Sequence, residues 1–218
     1  MHIPPSSNPT PVPEAMTLPA LQDYVREMVA ERGFTTDRNE VFILMAEEVG
    51  ELATEFKNRQ YYPERYHPEN LSHEIIDVLL YLLDLANGFG QELMSLWPAH
   101  EAANDERFAA RRKGAPAGKP VGEKMTLNQL AAHVESRGQE RKFHDSDETL
   151  LMLLTEEMGE IATEIRKAWR GKGDPVHAGH EIIDALNYLF RLGARAGMDF
   201  EQALRNKEHQ NAQRSWSY

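Results

Sequence analysis

The 218 residues include no cysteine. Disulfides and thiolate chemistry are therefore excluded, and a reducing, cytoplasmic location is the expectation. Long apolar runs are also missing. The longest is interrupted by Asp77 and Asp84 and is too short to span a bilayer, so no membrane partner is expected. Positive charge is scarce: 24 Lys and Arg face 35 Asp and Glu, a net charge of −11. That balance argues against a nucleic-acid partner. No stretch alternates apolar and polar residues with period two, so no sheet is expected. Residues 1–13 are rich in proline and serine and lack the apolar centre of a secretory signal.

What the chain does have is acid in a repeated order. Glu47-Glu48-Val49-Gly50-Glu51 has a second copy, Glu156-Glu157-Met158-Gly159-Glu160. Each copy is followed by His-Glu-Ile-Ile-Asp, which supplies Glu74 and Asp77 in the first half and Glu181 and Asp184 in the second. The gap is 22 residues from Glu51 to Glu74 and 20 from Glu160 to Glu181. Residues three or four apart share a helix face, so each motif puts its carboxylates on one side. A lone Glu-x-x-Glu is usually a solvated helix face. Here the second pair sits in a helix apolar nearly all round, from Ile75 to Leu85 in the first half, which is the pattern of a buried central helix. Carboxylates converging there need protons or cations, and hard oxygen ligands in that number suit Mg²⁺, with Mn²⁺ the alternative.

Glu-Glu-x-x-Glu followed about 20 residues later by Glu-x-x-Asp resembles the MazG-like all-α nucleoside triphosphate pyrophosphohydrolases, a group that includes dUTPase-like and dCTPase-like enzymes. The resemblance covers both halves. It implies an all-α fold of two tandem four-helix repeats packed as an intrachain pseudo-dimer. It implies cleavage of a nucleoside triphosphate into a monophosphate and pyrophosphate, in the service of removing surplus or non-canonical nucleotides. It assigns Glu48, Glu51, Glu74 and Asp77 as metal ligands in one half and Glu157, Glu160, Glu181 and Asp184 in the other. Glu47 and Glu156 would position or deprotonate the attacking water. Pairing of whole chains into a homodimer is compatible with it.

The repeat extends well beyond the acids. An offset of 109 matches Leu21 with Leu130, Val25 with Val134 and Phe34 with Phe143; after the loop an offset of 107 matches Tyr81 with Tyr188 and Asn104 with Asn211. The expected organisation is an unstructured arm over residues 1–15, a first repeat over 16–108, a linker over 109–124 and a second repeat over 125–218. Each repeat reads as four helices, with the third beginning near residue 72 in the first half and near 179 in the second. The linker is basic and rich in Gly and Pro. About a dozen extended residues reach ~40 Å, enough to fold one repeat back on the other.

Lys207, Asn211 and Arg214 form one stripe of the last helix and resemble the family's triphosphate-contacting Lys…Asn…Arg. Asn187 and Arg191 share a face with Asp184 and are candidates for base and phosphate contacts. The first half keeps Asn104 and Arg107 but has His100, Leu80 and Asp84 at the other positions, and Trp97-Pro98 there should disturb its fourth helix. Substrate should therefore sit over the second half's acids, provided that each half supplies its own basic residues. His73 and His180 read as structural, and Trp169 and Trp216 as core or interface aromatics. Two other classes compete: a carboxylate-bridged di-metal bundle, whose Glu-x-x-His appears only at Glu64 and His67, and a non-catalytic binding protein of the same ancestry.

Overall fold

A computed structural model describes residues 2–3, 10–111, 119–213 and 216–217. The described chain is all-α, with α1 (Leu18–Arg32), α2 (Arg38–Tyr61), α3 (Pro68–Gly88), α4 (Leu93–Arg111), α5 (Leu127–Glu140), α6 (Asp147–Trp169), α7 (Pro175–Arg195) and α8 (Phe200–Asn211). A 3₁₀ turn, Pro63–Arg65, lies between α2 and α3. The departures from helix are small: His2–Ile3 pairs antiparallel with Trp216–Ser217, and Thr17 bridges to Thr126. The arm is thus anchored where it is described, and Thr10 also donates its N–H to Glu31 at 2.6 Å. No helix among the described residues is long and apolar enough to cross a membrane.

Local chemistry sets the helix boundaries. Thr126 and Gln129 form a reciprocal capping box on α5, and Ser146, Asp174 and Asp199 cap α6, α7 and α8. Two boundaries fall earlier than the sequence reading. Pro68 and Pro175 are the first residues of α3 and α7, because proline has no N–H to lose there and its φ is already helical. Gly90 and Gly197 follow α3 and α7 with φ of 69° and 71°, a left-handed turn that suits residues without a Cβ. A further difference is α4, which runs through Pro98. Trp97 is buried beside it, 6.4 Å from the Phe190 ring, so tertiary packing overrides the lost hydrogen bond. Trp169, expected as a core or interface aromatic, is 74% exposed at the end of α6 and so is not in the core.

The core is organised around α3 and α7. Each packs on the preceding helix of its own half, α2 and α6 respectively, and the two pack on each other. Ile75, Leu79, Leu82, Ile182, Leu186 and Leu189 are all fully buried. Each such side chain contributes roughly 1.5–3 kcal/mol by leaving water. The fourth helices cross over. α4 packs on α7, and α8 packs on α3. Each central helix is therefore flanked by a helix from the other half, and this exchange decides which side chains meet at the acidic motifs. Residues 112–118, the middle of the basic linker, lie outside the described residues, but the Val121 N–H beyond them donates to the buried Glu101 carboxylate at 2.9 Å.

Candidate functional site

Three carboxylates converge between α2 and α3. Oxygen atoms of Glu48, Glu74 and Asp77 lie within 4.8 Å of one another, and those of Glu157, Glu181 and Asp184 do the same between α6 and α7. Glu51 and Glu160 are exposed one turn further along and act on these clusters through their charge. Glu47 and Glu156 are exposed at the neighbouring helix positions. Glu64 is exposed in the 3₁₀ turn and belongs to neither cluster.

The electrostatics show what such crowding requires. Burial, followed by the charges of Asp77, Glu74 and Glu51, pushes Glu48 up to about 8. Burial and the Asp77 charge raise Glu74 as well, and the two glutamates share a hydrogen bond. In the second half, burial and then the Asp184 charge raise Glu157, and Glu181 is raised by burial and Glu160. Each cluster thus retains a proton that a divalent cation would displace. Three oxygen donors within a few ångströms fit Mg²⁺ or Mn²⁺, which take hard oxygen ligands and keep some water.

The basic residues correct the sequence reading. The Lys207 ammonium of α8 pairs with Asp77 of the first half, not with an acid of its own half. Reciprocally, His100 Nε2 of α4 lies 2.9 Å from Asp184 Oδ1 in the second half, and its ring stacks on His180 with centroids 4.6 Å apart. The proviso of self-contained halves therefore fails, because the fourth helices are exchanged. Asn211 lies beside the first cluster in the same way. Arg214 lies outside the described residues.

Arg191 also departs from expectation. It is buried, with Nε 3.2 Å from Glu135 and Nη1 3.0 Å from Asp145. Two carboxylates already hold its charge, so it is a structural cation and not a free phosphate ligand. Asn187 is near its cluster, with Nδ2 3.5 Å from Asp184 Oδ1.

The cavities beside the two clusters differ in kind. That beside Glu48 and Asp77 holds about 130 Å³, with Val25, Met28, Val29, Val41 and Leu80 among its walls and Lys207 at the acidic end. That beside Glu157 and Asp184 holds about 100 Å³. Where the first has Met28, Val29 and Leu80, the repeat offset places Arg137, Gly138 and Asn187 in the second. Arg191 fills the space that Gly138 leaves: a Cβ built on Gly138 would stand 2.9 Å from its Nε. Arg137 pairs with Asp105 and Glu101, and Arg141 with Asp105 at 2.8 Å. The second cavity is thus crossed by the ion pairs of Arg137, Arg141 and Arg191, while the first holds one such pair, Arg32 with Glu208, beside its acids, a lysine and apolar walls. Sequence reasoning missed this apolar cavity; the substitutions of Met28 and Val29 for Arg137 and Gly138 were the available signal.

Chemically, the class defined is a helical protein carrying two half-buried carboxylate clusters, one of them beside an apolar cavity with a lysine at its acidic end. Comparison with known protein families finds no match, and neither curated proteins nor solved structures yield one.

Proposed function

We propose that the chain is a Mg²⁺-dependent nucleoside triphosphate pyrophosphohydrolase of the MazG-like kind, with its two halves packed as an intrachain pseudo-dimer. The observation that carries the reading is the convergence of Glu48, Glu74 and Asp77 with Lys207 beside one apolar cavity. Few ligands ask for a divalent cation, an ammonium and an apolar slot together; a nucleoside polyphosphate asks for all three. The exchanged packing of α4 and α8 supports the pseudo-dimer, since each half completes the other's site.

In this reading Glu48, Glu74 and Asp77, with Glu51 closing in, hold the cation. Once bound, it supplies a Lewis acid for the phosphate oxygens and the attacking water. Lys207 neutralises charge on the phosphates as it exchanges Asp77 for them. Glu47, exposed on the neighbouring position of α2, is the candidate to take the water's proton. Attack at the α phosphorus breaks the bond to the bridging oxygen. That oxygen leaves with pyrophosphate, and the water's oxygen stays on the monophosphate. The apolar walls receive the base and keep bulk water from the reaction.

The second half serves chiefly as the partner that delivers α8. Its own acids retain the ability to bind metal, but Arg191 and the Arg137 ion pairs occupy the room that a base would need. The test is a pair of double variants assayed on one nucleotide with Mg²⁺. Glu48→Gln with Glu51→Gln should abolish turnover, and Glu157→Gln with Glu160→Gln should spare most of it. The reverse order would refute the assignment of the active half.

A further inference from the structure

Two acceptors facing the first cavity lack partners. Among the described residues Asp84 makes no hydrogen bond and no ion pair. Burial alone pushes its carboxyl up to about 6, with no neighbouring charge contributing. The other acceptor is the Asn211 carbonyl, buried without a hydrogen bond. The amide is oriented by its other end, whose Nδ2 donates to Glu208 Oε1 at 3.1 Å. Asn211 Oδ1 is under cover and Asp84 is half-buried, and an acceptor without a donor costs desolvation energy, so the two beside one cavity point to a missing donor.

Their positions relate them to the metal end. Glu74, Asp77 and Asp84 occupy one stripe of α3, and helix rise puts Asp84 about 10 Å beyond Asp77. That distance is of the order of the reach from the α phosphate of a nucleotide to the far edge of its base. Between the two lie Leu80 and Tyr81, which also line the cavity. A nucleotide with its phosphates at Asp77 and Lys207 would thus bring its base edge to Asp84.

The four bases differ in what they offer there. A carboxylate presents two acceptors side by side. Guanine answers with two adjacent donors, N1–H and the N2 amino group. Adenine and cytosine offer one amino donor beside a ring nitrogen acceptor, which would face a carboxylate oxygen unfavourably. Uracil and thymine offer a single N–H between two carbonyls. We propose that the cavity selects guanine nucleotides, with Asp84 accepting from guanine N1–H and N2–H and Asn211 Oδ1 accepting from a ribose hydroxyl. This inference rests on the nucleotide reading above and narrows its substrate class. The second half has no equivalent, because the position of Asp84 is held there by Arg191, already tied to Glu135 and Asp145.

The test uses the full chain with Mg²⁺ and the α,β-methylene triphosphates of guanosine, inosine, adenosine, cytidine and uridine, with binding measured by calorimetry. The guanosine analogue should bind at least about 10²-fold more tightly than those of adenosine, cytidine and uridine. Inosine, which lacks the 2-amino donor, should fall about 10-fold short of guanosine. Asp84→Asn should remove the guanine preference, and its melting temperature at pH 8 should equal or exceed that of the parent, since an unpartnered carboxylate is lost. Equal affinity for all bases, or a guanine preference that survives Asp84→Asn, overturns the proposal. Guanine-selective binding without turnover of GTP upholds it and overturns the hydrolase reading. Turnover without base selection does the opposite, and failure to bind any nucleotide overturns both.

Discussion

Raising the pH of the metal-free protein from 6.5 to 8.5 should destabilise it, and Mg²⁺ should reverse the loss. Glu48 is pushed up to about 8, and Glu157 is raised by the same kinds of neighbour. In the unfolded chain both would already be ionised at pH 6.5. The folded state therefore binds more protons over this range, and stability must fall as pH rises through the folded values. The full shift of Glu48 from 4.5 corresponds to a ceiling of about 5 kcal/mol. Both groups are partly solvated, and only part of the shift is titrated in this window. A working figure is about 1–2 kcal/mol for each cluster. At 2–4 °C per kcal/mol for a chain of this size, the two clusters together should lower the melting temperature by roughly 4–16 °C. His180 acts in the opposite sense, because burial and the His100 charge lower it below 6.5. The unfolded histidine is still about half protonated at pH 6.5, so it offsets a small part of the loss over the first unit of the window. Mg²⁺ at about 100 times its dissociation constant adds roughly 2.7 kcal/mol, and more of it should appear at pH 8.5 than at 6.5 because the cation displaces a proton. Thermal melts at the two pH values, with Mg²⁺ and with chelator, measure all four states. A melting temperature that is flat or rises with pH under chelator, or a larger Mg²⁺ effect at pH 6.5, would refute the reasoning.

Lys207→Met should lower kcat/KM by about 10²-fold, while His100→Ala changes it little, because only Lys207 serves the first cluster; steady-state kinetics on one nucleotide compares them. Arg191→Ala should destabilise the fold by about 1.5–3 kcal/mol by removing the arginine on Asp145 and one of the two on Glu135, which keeps Arg195, yet leave KM near the parent value; a denaturant melt and kinetics read the two effects. Gly193→Ala should cost about 1–3 kcal/mol or more in the same melt, because its Cβ would stand 2.3 Å from Phe200 Cζ in the core.

The sequence carried the helices well because their signals are local. Thr126 with Gln129, Asp199 with Gln202 and the glycines after α3 and α7 act over one turn. Pro68 and Pro175 were misread as loop, since proline breaks a helix interior but opens a helix equally well. Periodicity also put Glu74 beside Asp77 and Glu48 beside Glu51 on common faces, and the clusters use those faces. What periodicity cannot supply is the neighbour across the gap. Lys207 and Asp77 are 130 positions apart, and only the exchange of α4 and α8 between halves brings them together. Arg191 was placed on the correct face of α7 but assigned to phosphate, because Glu135 and Asp145 come from outside that helix. Asp84 looked like a missing cation until the apolar cavity around it was visible.

The central claim is that Glu48, Glu74, Asp77 and Lys207 together open the bond between the α and β phosphates. The most direct measurement is product identification by chromatography after incubating the purified chain with GTP and Mg²⁺, beside the Glu48→Gln variant and a chelator control. The account predicts GMP and pyrophosphate as the first products, with none from the variant or under chelator. GDP and orthophosphate as first products, or turnover indifferent to Glu48 and to Mg²⁺, would contradict it.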